Sequence, residues 1–348
     1  MERNKTIDIA RGIAIILMCI GHANCPDILQ KFVYMFHMAF FFVISGYFFN
    51  KEKTFSQPWN FIIKKIKGLY IPFITWGIIF TFLHNVFLNL KLLGPNNHYY
   101  GIKETLWKAF TTNTRFIPTE EMMVPYWFFA CLFYVSIFSM LLFFISNRLS
   151  KKKKWIECLI FLLAYVIGFI LLYTKNGNSY DYIIRTFIIS FLFYLGYLWY
   201  HFKDKIQYNG TGLILSIIIL IAGLFSSYNT INIALLELEN PLIFLVYSVI
   251  GTYMLLNISK YIENHTSYLK SFLSYTGSKT LIILLCNYLC IRVFNLLRVY
   301  IEKYTGYPTT IFTHNSDWYW WILYTAFMII VPLTLNWSYH QMKKLIFK

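Results

Sequence analysis

Arg11 and His22 sit eleven residues apart in the first apolar stretch, "IDIARGIAIILMCIGHA". A helix turns about 100° per residue, so eleven steps return His22 to within roughly 20° of Arg11, about 16 Å further along the axis. Both then lie on one face. A guanidinium and an imidazole are costly in a lipid-embedded helix unless they line a polar cavity, which marks the pair for proton transfer and anion binding. The competing reading of His22 is an interfacial histidine near a helix end. Asp8 precedes Arg11 by one turn, a spacing for a local ion pair. That pair is either purely structural or a means of holding the guanidinium toward an anionic ligand.

The next apolar stretch, "FVYMFHMAFFFVISGYFFN", runs antiparallel to the first, so His37 near its start shares a bilayer half with His22. Ser45 and Gly46 lie toward the other side, where a small pair lets helices approach closely. Ser45 serves either that packing or a substrate contact. "FIIKKIKGLYIPF" carries Lys64, Lys65 and Lys67, which act as a cytoplasmic anchor or as point charges for a phosphate-rich cofactor. Trp127 in "PYWFF" is an interfacial belt residue or a platform for a sugar ring. Glu120 and Glu121 read as solvated loop charges, with acceptor binding as the other role. Of the remaining arginines in apolar stretches, Arg185 and Arg298 are expected to snorkel to an interface, and Arg292 lies within a span.

The elements that must position these residues follow from composition. The chain is 58% hydrophobic, 21% aromatic and only 13% charged, a polytopic membrane composition. Its mean hydropathy is +0.53. Apolar runs near twenty residues give ten expected spans at about 7–23, 32–50, 68–90, 125–146, 155–174, 182–201, 211–228, 241–259, 279–301 and 318–338. All are helical, because lipid offers the backbone no hydrogen-bond partners. The expected fold is an all-α membrane helix bundle.

A net charge of +16 would suit nucleic acid, but the basic residues cluster in alternate loops, the positive-inside pattern. One side collects Arg3 and Lys5, Lys51 to Lys67, Arg148 to Lys154, Lys203 and Lys205, Lys260 and Lys270, and Lys343 to Lys348. The other holds only Lys31, Lys91, Lys103, Lys108, Arg115, Lys175 and Lys303. With ten spans both termini fall in the cytoplasm, and no nucleic-acid partner is expected. Cys19, Cys131, Cys158, Cys286 and Cys290 fall in spans and Cys25 stands alone outside, so no disulfide framework is expected. The first span lacks a small-x-small cleavage site and is expected to stay in place. Residues 1–348 read as a single membrane domain without repeats, with one longer outer loop at about 91–124.

Six segments together resemble acyltransferase family 3 and, more narrowly, its fucose 4-O-acetylase-like O-acetyltransferase branch. They are "DIARGIAIILMCIGH", "FHMAFFFVISGYFF", "KKIKGLYIPF", "YWFFACLF", "ENPLIFLVYSVIGT" and "YTGSKTLIILLCN", in order from about residue 6 to 290. The first two are fairly specific; the later ones are largely hydrophobic. The resemblance implies ten membrane helices, an acyl-CoA donor reached from the cytoplasm, and transfer of an acyl group, most often acetyl, to a hydroxyl of an envelope glycan or its lipid-linked precursor. It places the protein in the bacterial plasma membrane and singles out Arg11 and His22. Two positions depart from it. Lys65 and Lys67 stand where relatives carry arginine, which keeps charge but loses the bidentate fork. Asn287 stands where relatives carry histidine, which removes a proton-transfer role and leaves an acceptor-orienting one.

Within that scheme His22 is the expected general base, and Arg11, with Lys64, Lys65, Lys67 and Ser45, meets the donor. His37, Trp127, Glu121 and Asn287 meet the acceptor, and no metal enters. Direct transfer and an acyl-histidine intermediate both fit these residues. No esterase-like domain is attached, so direct acylation of a lipid-linked or nascent glycan is expected. The competing class is a multi-pass exporter of a glycan or small anion, with His22 coupling protons.

Overall fold

The computed structural model describes residues 4–149, 154–175, 181–305 and 319–346. Arg3, Lys151 to Lys153 and Lys348 of the charge pattern, and position 318 of the last expected span, lie outside them. The architecture is an all-α membrane bundle. In chain order the helices are α1 (Lys5–His22), α2 (Asp27–Tyr34), α3 (His37–Tyr47), α4 (Lys51–Ser56), α5 (Pro58–Lys65), α6 (Ile71–Asn89), α7 (Ile102–Arg115), α8 (Trp127–Leu149), α9 (Lys154–Thr174), α10 (Asp181–Phe202), α11 (Gly210–Leu224), α12 (Pro241–His265), α13 (Ser267–Ser278), α14 (Thr280–Thr305) and α15 (Trp320–Ile346). A π turn at Ile66–Tyr70 joins α5 to α6, and a 3₁₀ turn at Glu121–Tyr126 leads into α8. A hairpin of two short strands, β1 (Ile231–Asn232) and β2 (Glu237–Leu238), pairs Ile231 with Leu238.

Among the described residues, eight helical stretches are long and apolar enough to cross a membrane by length and composition. They account for eight of the ten expected spans. The other two expectations fall on helices of a different kind. α1 carries Lys5, Asp8 and Arg11 within its 18 residues. α11 has 15 residues, about 22 Å of helix against a hydrocarbon core of about 30 Å. The 91–124 segment, expected from sequence as a longer outer loop, contains the 14-residue helix α7.

The chain divides into two compact units. One comprises Met1–Gln30, Phe73–Trp127 and Thr266–Lys348, the other Lys31–Pro72 and Phe128–His265. In the first, α1 crosses α13 backbone to backbone. A Cβ at Gly12 would overlap the Leu273 carbonyl and come within 3.2 Å of the Gly277 nitrogen, and one at Gly277 would overlap the Asp8 carbonyl. In the second unit, α3 and α10 repeat the device, with Gly46 against the Phe193 carbonyl and Gly196 against that of Val43. Small residues at such crossings let backbones meet, the main route to helix packing where lipid removes the hydrophobic drive. The second unit's core is aromatic, with Phe49 stacked on Phe143 and Phe161 stacked on Tyr194.

Two charged side chains expected to snorkel are enclosed instead. Arg298 is 1% exposed, with its guanidinium 5.8 Å from the centre of the Trp320 ring. Arg185 donates to the carbonyls of Ile233 and Ala234, at 3.1 and 2.5 Å, and pairs with Asp181 at 3.6 Å. The hairpin's carbonyls take the place of interfacial water. In detergent, Gly12→Ala and Gly277→Ala should each cost about 1–3 kcal/mol by forcing the crossing apart. Gly68→Ala, with nothing within 4 Å of its new Cβ, should stay within about 0.5 kcal/mol of wild type in the same thermal melts.

Candidate active site

α1 begins where the Asn4 side chain caps the Ile7 amide at 3.1 Å, and it runs unbroken to His22. The sequence spacing is therefore realised: Arg11 and His22 ride one rigid helix about 16 Å apart. Arg11 pairs with Asp8 at 3.9 Å and donates from Nη2 to Thr280 Oγ1, the first residue of α14, at 3.1 Å. Its neighbour Gly12 is the crossing point with α13, so the guanidinium is carried next to a close backbone contact. Its side chain stays 34% exposed, within reach of an anionic ligand. His22 is the last helical residue and half-buried. The turn after it closes through the Ala23 amide on Ile20, a left-handed Asn24 at φ 57°, and a Gln30 Nε2 donation to the Gly21 carbonyl at 3.0 Å.

α14 brings Asn287 to the His22 end of α1. The amide is fully buried; its Nδ2 lies 3.1 Å from Met328 Sδ on α15 and 3.8 Å from Cys19 Sγ, one turn before His22. A thioether sulfur can only accept, so the NH₂ faces the sulfurs and the carbonyl faces away. That Oδ1 is buried without a hydrogen-bond partner, a state that costs about 1–3 kcal/mol.

Glu121 is clamped rather than solvated. It accepts from the Gly94 amide at 2.9 Å and from Asn97 Nδ2 at 2.6 Å, and pairs with Arg292 on α14. Tyr126 adds an O–H donation to the Leu285 carbonyl at 2.9 Å, so the 3₁₀ turn is fastened to α14 at two levels. Trp127 follows, half-buried at the start of α8.

Glu120, the other expected solvated charge, is 5% exposed and pairs through Oε2 with His84 Nδ1 at 2.8 Å. The other ring nitrogen of His84, Nε2, donates to the His98 carbonyl at 3.0 Å, and the Tyr100 ring stacks on the imidazole at 3.4 Å. Burial raises the Glu120 carboxyl above its ordinary value, and the hydrogen bond and charge of His84 offset part of that rise. His84 was missed in the sequence, although a histidine inside "FTFLHNVF" is the same kind of signal as His22.

The second unit holds the other expected site residues. His37 is buried, with Nδ1 on the Val33 carbonyl at 2.8 Å and the Tyr34 ring 5.2 Å away. Ser45 is half-buried beside Gly46, at the α3–α10 crossing. Lys64 and Lys67 are exposed, and half-buried Lys65 lies over the Phe61 ring at 5.4 Å. The π turn between them has a local cause. Pro72 has no amide to donate to Gly68, and the Ile71 amide reaches back five residues to Ile66.

Among the described residues no three His, Cys, Asp or Glu side chains are grouped to hold a metal. Burial lifts the Cys25 thiol to about 11, so it is not a thiolate nucleophile at neutral pH.

A carboxyl raised on folding is stabilising in its protonated form, so its contribution falls as pH climbs from the unfolded value through the folded one. Wild type should therefore lose stability relative to Glu120→Gln as pH rises above about 4.5, the ordinary glutamate value. Paired thermal melts from pH 4.5 to 8 measure this, and parallel curves would contradict it.

Over 238 residues the chain is 27% identical to the nodulation protein NolL of Mesorhizobium japonicum, covering 61% of this chain and 60% of that protein. The match thus spans less than two thirds of the relative's length. No solved structure matches. The acyltransferase domain profile of acyltransferase family 3 matches residues 4–337, and the chain belongs to that family.

Proposed function

We propose that this membrane acyltransferase is an O-acyltransferase, in the fucose 4-O-acetylase-like manner, that moves an acetyl group from cytoplasmic acetyl-CoA to a hydroxyl of an envelope glycan or its lipid-linked precursor. Residues 1–348 act as one catalytic membrane domain, in a bacterial plasma membrane, with both termini in the cytoplasm. The observation that carries this reading is the unbroken α1: it holds a permanent cation at one level and an imidazole about 16 Å further along. That separation is too long for both to touch one carbon and suits an extended pantetheine arm.

In this scheme Arg11 receives the donor's anionic portion, assisted by Lys64, Lys65 and Lys67, and Ser45 contacts the donor. His22 takes the proton from the acceptor hydroxyl as its oxygen attacks the thioester carbon. The tetrahedral intermediate then expels the thiolate of CoA, which takes the proton back from the imidazolium. An ester and free CoA result. The base contributes roughly a hundredfold or more. His37 and Trp127 line the acceptor's approach, with Glu121 at its rim. The carbonyl of Asn287 accepts from a second acceptor hydroxyl, which explains why this chain keeps a buried carbonyl without a partner.

The first experiment is CoA release from radiolabelled acetyl-CoA by the purified protein, with and without envelope glycan. Glycan-dependent release should fall at least about a hundredfold in His22→Ala. Arg11→Ala should mainly raise the KM for acetyl-CoA. Turnover in neither condition, with labelled glycan crossing proteoliposomes instead, would replace the enzyme with an exporter. A bound donor with its thioester on the cytoplasmic side of Arg11 would overturn the assigned roles. Asn287→Leu should raise the KM for the acceptor about tenfold, the worth of one hydrogen bond to a neutral group, and leave the KM for the donor unchanged.

A further inference from the structure

Helix α7 is amphipathic the wrong way round for a helix in water. Ile102, Leu106, Trp107 and Phe110 are exposed, at 83, 56, 63 and 58%. At 100° per residue they fall within one arc of about 140°. Lys103 and Thr114, in the first and last turns, share that arc, while Glu104 and Lys108 lie on the opposite one, which is turned to the protein. Lys108 there donates to the Tyr100 hydroxyl and Glu104 pairs with His98 at 3.0 Å, and Ala109, at the margin of the apolar arc, is buried. A helix at a protein–water surface shows the reverse pattern.

The helix is also tied to a membrane-crossing one at both ends. Just before it, the Tyr100 backbone makes two 2.9 Å hydrogen bonds to the Asn85 side chain, one turn from the end of α6. Just after it, the Phe116 ring packs edge-on against Phe73, nearer the start of α6, at 4.6 Å. Those anchor points are about 18 Å apart along α6, and α7 is about 21 Å long. α7 is thus held along a membrane-crossing helix that has exposed apolar residues of its own, among them Phe82, Leu83 and Val86. Exposed Lys103 and Arg115 stand near its two ends. Fourteen residues is the length of an interfacial segment, too short to span.

We infer that α7 is a lipid-binding element whose Ile102–Leu106–Trp107–Phe110 face is seated in the bilayer at the boundary between headgroups and acyl chains. Lys103 and Arg115 reach the phosphate layer there. The occupant is bilayer lipid, because α7 is tied at both ends to a membrane-crossing helix and its apolar face is flanked by cations that match anionic headgroups. This stands independently of the assigned catalytic roles. It makes the 91–124 segment a membrane-seated shelf, fastened to α14 through Glu121 and Arg292.

The test places an environment-sensitive fluorophore at Leu106→Cys or Phe110→Cys, and at Thr111→Cys on the inward arc, in a Cys158→Ser background of the full chain. The protein is reconstituted into phosphatidylcholine–phosphatidylglycerol vesicles. Labels at 106 and 110 should be quenched about twofold by lipid spin-labelled at carbon 5, less at carbon 12, and little by aqueous iodide. The label at 111 should respond weakly to all three. Trp107→Phe, a conservative change, should remove part of the intrinsic emission that the carbon-5 lipid quenches. Iodide quenching without lipid quenching would put the face in water. Stronger quenching from carbon 12 would put it deep in the core. Either result overturns the assignment.

Discussion

The contact between Gly12 and Gly277 leaves no room for a side chain at either position, and the placement of Arg11 follows from it. Because backbone touches backbone, α1 can neither slide nor roll on α13 without a clash. Arg11, one residue before the contact, is therefore placed to within the freedom of its own rotamers, and Asp8 and Thr280 take up part of that freedom. His22 inherits its position from the same contact through three turns of intact helix. Thr280 opens α14, so the bond from Arg11 also ties together the two helices that bring His22 and Asn287 to one level.

Several of the charges inside this protein are enclosed in pairs. Glu121 meets Arg292 and two further donors; Glu120 meets His84; Arg185 meets Asp181 and two carbonyls. A buried ion is tolerable only when hydrogen bonds replace its hydration, and removing one partner of such a pair costs about 3–5 kcal/mol. The first two pairs fasten the segment between α6 and α8 to α6 and to α14. Asn287 departs from the rule. Its amide protons face sulfur, the weakest acceptor available, and its carbonyl faces no donor.

The π turn at Ile66–Tyr70 shows a similar trade in the second unit. It inserts a wider turn into a helical stretch of 32 residues, just after Lys65 and including Lys67. The basic run is legible in the sequence; the wider turn within it is a consequence of Pro72.

The sequence alone determined the all-α membrane character, the family, and the placing of Arg11 and His22 on one helical face, because hydrophobic run length and a 3.6-residue period are local properties. The Asp8–Arg11 pair was legible for the same reason. Local pattern could not tell that Glu120 and Glu121 are buried, since a glutamate in a Pro- and Asn-rich stretch looks solvated until His84 and Arg292, 36 and 171 residues away, are brought against it. Arg185 and Arg298 misled likewise, since snorkelling is the default only where no protein carbonyl or ring is nearer than water. The facing of α7 was decided by tertiary structure too. Its sequence fixes an apolar arc, but which arc meets protein depends on Asn85, Tyr100 and Phe116, contacts that form only once α6 is in place.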